Sequence, residues 1–94
     1  MTENTGISKD IMMMGPNDNT AVCLRDLTAG EKVSAEAGTK IITANVQDNI
    51  PRGHKICVRE IQMGASVIKY GEIIGKANAD IHIGQHVHVH NVVD

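Results

Sequence analysis

The octapeptide DIHIGQHV, Asp80–Val87, decides how this chain folds, because three altered copies of it occur elsewhere. They are DLTAGEKV (Asp26–Val33), NIPRGHKI (Asn49–Ile56) and EIQMGASV (Glu60–Val67). The shared pattern is a polar residue, Leu or Ile, two variable residues, Gly, two more, then Val or Ile. The first aliphatic residue is placed to plug a core, and the second to start the next strand. The glycine supplies a backbone conformation that other residues reach only with strain. Four copies therefore predict four similar corners between short strands. They start 23, 11 and 20 residues apart, and a solenoid would need a fixed period. A convoluted single β domain is the reading that remains.

The apolar composition agrees. Among 94 residues there are 12 Ile and 9 Val against 2 Leu, with no Phe or Trp. Stiff β-branched side chains suit a pleated sheet and are poor helix formers, so the fold class is all-β, or mainly so. Residues 1–10 (MTENTGISKD) are polar and aperiodic and read as a disordered tail, leaving residues 11–94 as the domain. IMMM (Ile11–Met14) reads as an edge strand, followed by the dense turn signal GPNDN (Gly15–Asn19) and a strand in TAVCLRDL. Further strands fall in Thr39–Val46, Lys55–Ile61 and Ser66–Ala77, the last with a turn at KYG. One helical turn is expected at SAEA, Ser34–Ala37.

Net charge is −2 with scattered Lys and Arg, and the chain has one aromatic residue. That excludes a basic nucleic-acid groove and a base-stacking platform. No apolar run approaches the ~20 residues of a membrane span, and no secretory leader is evident. Cys23 and Cys57 form no CxxC motif and read as small, reduced, buried hydrophobes. The expectation is a cytoplasmic protein with no nucleic-acid or membrane partner. A core this thin also favours some self-association.

The candidate chemistry lies in GQHVHVHN, Gly84–Asn91. In an extended strand His86, His88 and His90 share one face, and Val87 and Val89 share the other. Neighbouring imidazoles in such a comb start roughly 6.5–7 Å apart at Cα and can lean onto one ion, whereas His86 and His90 start about 13 Å apart. A metal site would use one His-x-His pair, His86 and His88, with other ligands from elsewhere. Like charges so close make each ring harder to protonate. RGHK adds His54 and Lys55 after a corner glycine, and IKYGE places Lys69 and Tyr70 beside a Glu. Each is also compatible with a plain solvated turn.

Together DNTAV (Asp18–Val22), IPRGHK (Ile50–Lys55), GASVIKYGEIIGKANADI (Gly64–Ile81) and GQHVHVHN resemble the small subunit, or N-terminal SAF domain, of the altronate dehydratase family. That family includes galactarate dehydratase and sulfolactate sulfo-lyase. The resemblance implies a β-clip fold of short strands in two long, bent hairpins. It also implies the small, separately inactive subunit of a sugar-acid dehydratase, a lyase that shares its active site with a larger catalytic subunit. The alternatives are the alpha subunit of a (2R)-sulfolactate sulfo-lyase and a non-catalytic SAF module that binds carbohydrate or a partner. Residues in matching motifs are His54, Lys55, Lys69, Tyr70, His90 and Asn91 as catalytic candidates, with His86 and His88 as metal ligands. The implied cofactor is a divalent metal, iron(II) or manganese, held only once the large subunit is present. The chain departs from the pattern before the DN motif, where members usually carry His and this chain has Gly15.

Overall fold

A computed structural model describes residues 10–13 and 15–94. It is built from nine strands: β1 Ile11–Met12, β2 Thr20–Cys23, β3 Lys32–Ala37, β4 Lys40–Asn45, β5 Lys55–Cys57, β6 Ser66–Lys69, β7 Glu72–Ala77, β8 His86–Val87 and β9 Val92–Val93. All pairings are antiparallel, and the described residues contain no helix, so the all-β expectation holds. The sheets run β1-β2-β5-β8, β3-β4 and β6-β7-β9. β1 is an edge strand as expected, while Met14 lies outside the described residues. The expected tail also lies outside them except for Asp10, whose carbonyl accepts the Leu24 N–H at 2.8 Å.

The four repeat copies pair two by two around local pseudo-twofold axes. In the first pair Leu27 and Ile50 exchange both backbone hydrogen bonds, at 2.8 and 2.9 Å, and in the second Ile61 and Ile81 do so at 2.9 and 2.7 Å. The polar residue that opens each copy reaches across to its partner copy. Asp26 accepts the Arg52 N–H and Asn49 accepts the Ala29 N–H; likewise Glu60 accepts from Ile83 and Asp80 from Met63. The corner glycines have φ of 101°, 87°, 88° and 94°, the left-handed region that a Cβ penalises. Each donates its N–H to the residue three before its partner copy: Gly30 to Val46, Gly53 to Cys23, Gly64 to Ala77 and Gly84 to Cys57.

Each pair also builds its own core. Leu27, Val33, Ile50 and Ile56 lie in one buried cluster with Cys23 and Val46, and Ile61, Val67, Ile81 and Val87 lie in a second with Cys57 and Ala77. β5 is the seam: Ile56 points into the first cluster and Cys57 into the second, so this strand has no wet face. Its antiparallel pairing with β8 (Lys55 opposite Val87, Ile56 opposite His86) ties the two halves together. Burial pushes the Cys23 thiol up to about 11 and the Cys57 thiol up to about 12, in keeping with two inert, reduced side chains.

The helical turn expected at Ser34–Ala37 is not formed. Those residues belong to β3, where Val33, Ala35 and Ala37 are buried in alternation. A period of two matched to a full ladder with β4 outweighs the local helix preference of Ala and Glu. The β6–β7 hairpin closes through Tyr70 (φ 55°) and Gly71 (φ 76°), between Lys69 and Glu72. Two central residues at positive φ make the tight turn whose twist matches its strands.

Candidate functional site

The candidate site lies where the two halves meet. β8 opens with His86, and the strand stops at Val87. The chain then turns through residues 88–91 instead of continuing extended. Asn91 causes this turn. Its Oδ1 accepts the His88 N–H at 2.9 Å, and its Nδ2 donates to the His86 carbonyl at 2.8 Å. The Asn78 side chain adds a bond to the His90 carbonyl. The alternating comb is therefore corrected: Val89, expected on the core side, is 81% exposed, whereas Val87 is fully buried. An Asn three residues after His88 can satisfy that backbone locally, and this beats two more ladder bonds at a sheet edge.

The rings meet in spite of the turn, because His54 enters from the other half. Its Nδ1 lies 2.8 Å from His86 Nε2, so a proton on one of these two nitrogens bonds to the other. His54 and His88 stack at 3.9 Å between centroids, 13° from parallel. The pairing of β5 with β8 dictates this contact: Lys55 faces Val87, so the preceding residue, His54, meets the following one, His88. His86 lies 5.6 Å from His88 and 5.1 Å from His90. The His86 N–H is anchored on Asp48 Oδ2 at 2.9 Å. His82 stands apart, paired with Glu60 at 2.7 Å.

Burial, and then the neighbouring imidazoles His90, His54 and His88, hold His86 below the usual histidine range against the opposing pull of Asp48. His88 is also held low, first by burial and then by His54, Lys55 and His90. For these two rings the neighbouring imidazoles add to the larger effect of burial. His88 Nδ1 is buried and makes no hydrogen bond among the described residues. An orphaned imidazole nitrogen in an all-nitrogen cluster is what a bound cation would satisfy, so His86 and His88, with His54 beside them, fit the implied metal.

A groove of about 210 Å³ runs alongside, lined by Lys55, Ile74, His88, Val89, Val92 and Asp94. Burial and the nearby Lys69 ammonium lower the Lys55 pKa. Lys69 sits 5.0 Å over the Tyr70 ring at the β6–β7 tip, and Tyr70 itself is exposed.

Asp18 and Asn19 position that tip. Buried Asp18 accepts backbone N–H bonds from Gly15, Tyr70 and Gly71 at 3.1, 2.9 and 2.8 Å. Asn19 bonds both the N–H of Ile68 and the carbonyl of Ser66, and Thr20 donates to the Ile68 carbonyl. Sequence reasoning saw a turn here and missed the clamp. Its signal is three consecutive side chains, Asp-Asn-Thr, each suited to capping free backbone groups. Gly15 belongs to the same device: a Cβ on it would lie 2.9 Å from Asp18 Oδ1 and 3.3 Å from the Gly71 nitrogen. A side chain in its place would press on the Asp18 carboxylate.

Comparison with known proteins follows the same lines. A family model described as the altronate/galactarate dehydratase SAF domain matches residues 9–94. Altronate dehydratase of Bacillus subtilis (strain 168) is 41% identical over 83 residues, 88% of this chain. Altronate dehydratase of Escherichia coli (strain K12) is 47% identical over 74 residues, 79% of this chain. The aligned regions make up 16% and 14% of those two proteins, so the chain spans only a small part of their length. The (2R)-sulfolactate sulfo-lyase subunit alpha of Chromohalobacter salexigens is 49% identical over 47 residues, half of each chain.

Proposed function

Because the chain belongs to the family of altronate/galactarate dehydratase SAF domains, we propose that it lends a histidine–lysine face to a hydroxy-acid lyase whose reaction centre is completed by a larger catalytic subunit. The observation that carries this reading is the convergence of His54, His86, His88 and His90 from both halves beside Lys55 and Lys69. A 2,3-dihydroxy acid such as altronate enters with its carboxylate on the two ammonium groups. His90 is exposed on the rim and takes the C2 proton through a free ring nitrogen. The C2–H electron pair becomes the C2–C3 double bond, the C3–O bond breaks, and the oxygen leaves as water once protonated. The resulting enol then tautomerises to the 2-oxo acid. A divalent cation such as iron(II) or manganese supplies, when bound, Lewis acidity at the leaving oxygen. Asn91 fixes the turn that presents His88 and His90, and Tyr70 flanks Lys69.

The relatives named as a sulfo-lyase subunit alpha favour a second reading with the same proton abstraction and sulfite as the leaving group. Both readings are tested by co-expressing the chain with a large subunit of the family. Turnover of altronate or of sulfolactate is expected from the complex and from neither chain alone. In the complex, Lys55→Ala raises KM, and His90→Ala lowers kcat by about 10²-fold or more. Failure of the two chains to co-purify, or unchanged turnover in both variants, would overturn the proposal.

A further inference from the structure

We infer that His54, His86 and His88 form a three-nitrogen transition-metal site that is complete within this chain and leaves a coordination position open toward the Lys55 groove. This departs from the expectation that metal waits for a large subunit, and it does not depend on which reaction the chain serves.

One nitrogen from each of the three rings can be chosen so that all lie within 4.8 Å of one another. Bonds of ~2.0–2.1 Å to a tetrahedral ion place neighbouring nitrogens about 3.3 Å apart. The 2.8 Å pair, His54 Nδ1 and His86 Nε2, has to open by about half an ångström while His88 closes in. Small ring rotations achieve both, and the backbone stays where Asp48 and Asn91 hold it. The orphaned His88 Nδ1 shows that the cluster is not satisfied by its own hydrogen bonds.

The donor set selects the class of ion. Three imidazoles with no carboxylate suit zinc, cobalt, nickel, copper or iron(II), and do not suit magnesium or calcium, which take oxygen ligands. Closed structural zinc sites use four protein ligands, whereas three ligands leave a place for water or substrate. His88 lines the groove together with Lys55, so an acid bound by Lys55 has an oxygen within range of that position. His90 neighbours His86, 5.1 Å away between ring centroids, and stands outside the trio.

The test uses the tag-free, metal-stripped full chain. Titration calorimetry with Co²⁺ and Zn²⁺ is expected to show one saturable site per chain and no site for Mg²⁺. The Co²⁺ form should show the intense visible absorption of a low-coordinate nitrogen site, and a simple 2-hydroxy acid should perturb it. His88→Asn and His54→Ala are expected to weaken binding by more than about 100-fold, beyond the ~10–100-fold that loss of an outer hydrogen-bond partner costs. His90→Ala and His82→Ala should leave it unchanged, with circular dichroism verifying the fold of each variant. Absence of a saturable Co²⁺ site, one-to-one binding that survives His54→Ala, or an equal loss in His90→Ala would each overturn the inference. Should metal fail to bind while His90→Ala still abolishes turnover of the complex, this inference falls and the lyase proposal stands.

Discussion

The two corner pairs, 26–33 with 49–56 and 60–67 with 80–87, share a backbone scheme and differ in what they carry. Each has the same reciprocal bridge, the same crossed polar contacts and the same glycine-to-partner bonds. Yet the first copy follows its glycine with Glu31, which ion-pairs with Arg25, and the third follows with Ala65 and Ser66. Only the second and fourth copies place histidine there, and only their strands, β5 and β8, pair across the seam. The corner is thus a structural module indifferent to its cargo, and the stacked imidazoles gather at the joint where two modules meet.

The sharpest way to break this equivalence is at glycine. At Gly30, Gly53 and Gly64 a Cβ would meet nothing within 4 Å, whereas at Gly84 it would run into the Asn45 carbonyl. Gly84→Ala is therefore expected to cost about 3 kcal/mol or more, combining the left-handed backbone with a steric clash. Gly53→Ala should cost only ~1–2 kcal/mol. Chemical denaturation of the two variants measures the gap, and equal losses would show that the tight approach at Gly84 is relieved at little cost.

Next in size is Asp18→Ala, which strips the β6–β7 tip of its clamp. Leaving the Gly15, Tyr70 and Gly71 N–H groups without this acceptor is expected to cost about 2–3 kcal/mol. Hydrogen exchange at Tyr70 and Gly71 should accelerate more than at Ile56 in the seam. Uniform acceleration would mean that the tip is not a separate unit.

A smaller and symmetric effect is expected at the crossed contacts. Asp26→Ala and Asp80→Ala each remove one bond from a partner copy's N–H, and both should lose about 1 kcal/mol. A large inequality in their thermal midpoints would break the pseudo-twofold equivalence.

The smallest effect at neutral pH concerns the thiols, which occupy matching places three residues before the first and third copies. Both are buried, and both pKa values are raised, to about 11 and about 12. The folded state therefore favours the protonated thiol. Stability is intact below the unfolded thiol pKa near 9 and falls as pH rises from there through 11 and 12. A disulfide reagent at pH 8 should label neither Cys23 nor Cys57 until denaturant is added. Rapid labelling of one alone would show that one half opens independently.

Much of this was legible in the residues. The repeat located every corner, and the Ile and Val excess forecast the sheet class. The His-x-His spacing brought His86 and His88 into one cluster, where their neighbours add to burial in holding both rings uncharged. The misreadings share one physical origin: periodicity is local, while competition for backbone hydrogen bonds is not. SAEA carries good helix formers, yet β4 offers it a complete ladder. HVHVHN alternates like a strand, yet Asn91 closes a turn inside it.

The sequence by itself determined that short β-branched strands would be joined at four glycine corners, because residue type alone restricts φ and side-chain branching. Which corners pair, why Gly84 alone among the corner glycines has no room for a side chain, and how His54 comes to stack on His88 were decided by tertiary structure. Those facts depend on antiparallel register between segments some thirty residues apart, and no local pattern encodes the distance between two such segments until their cores close.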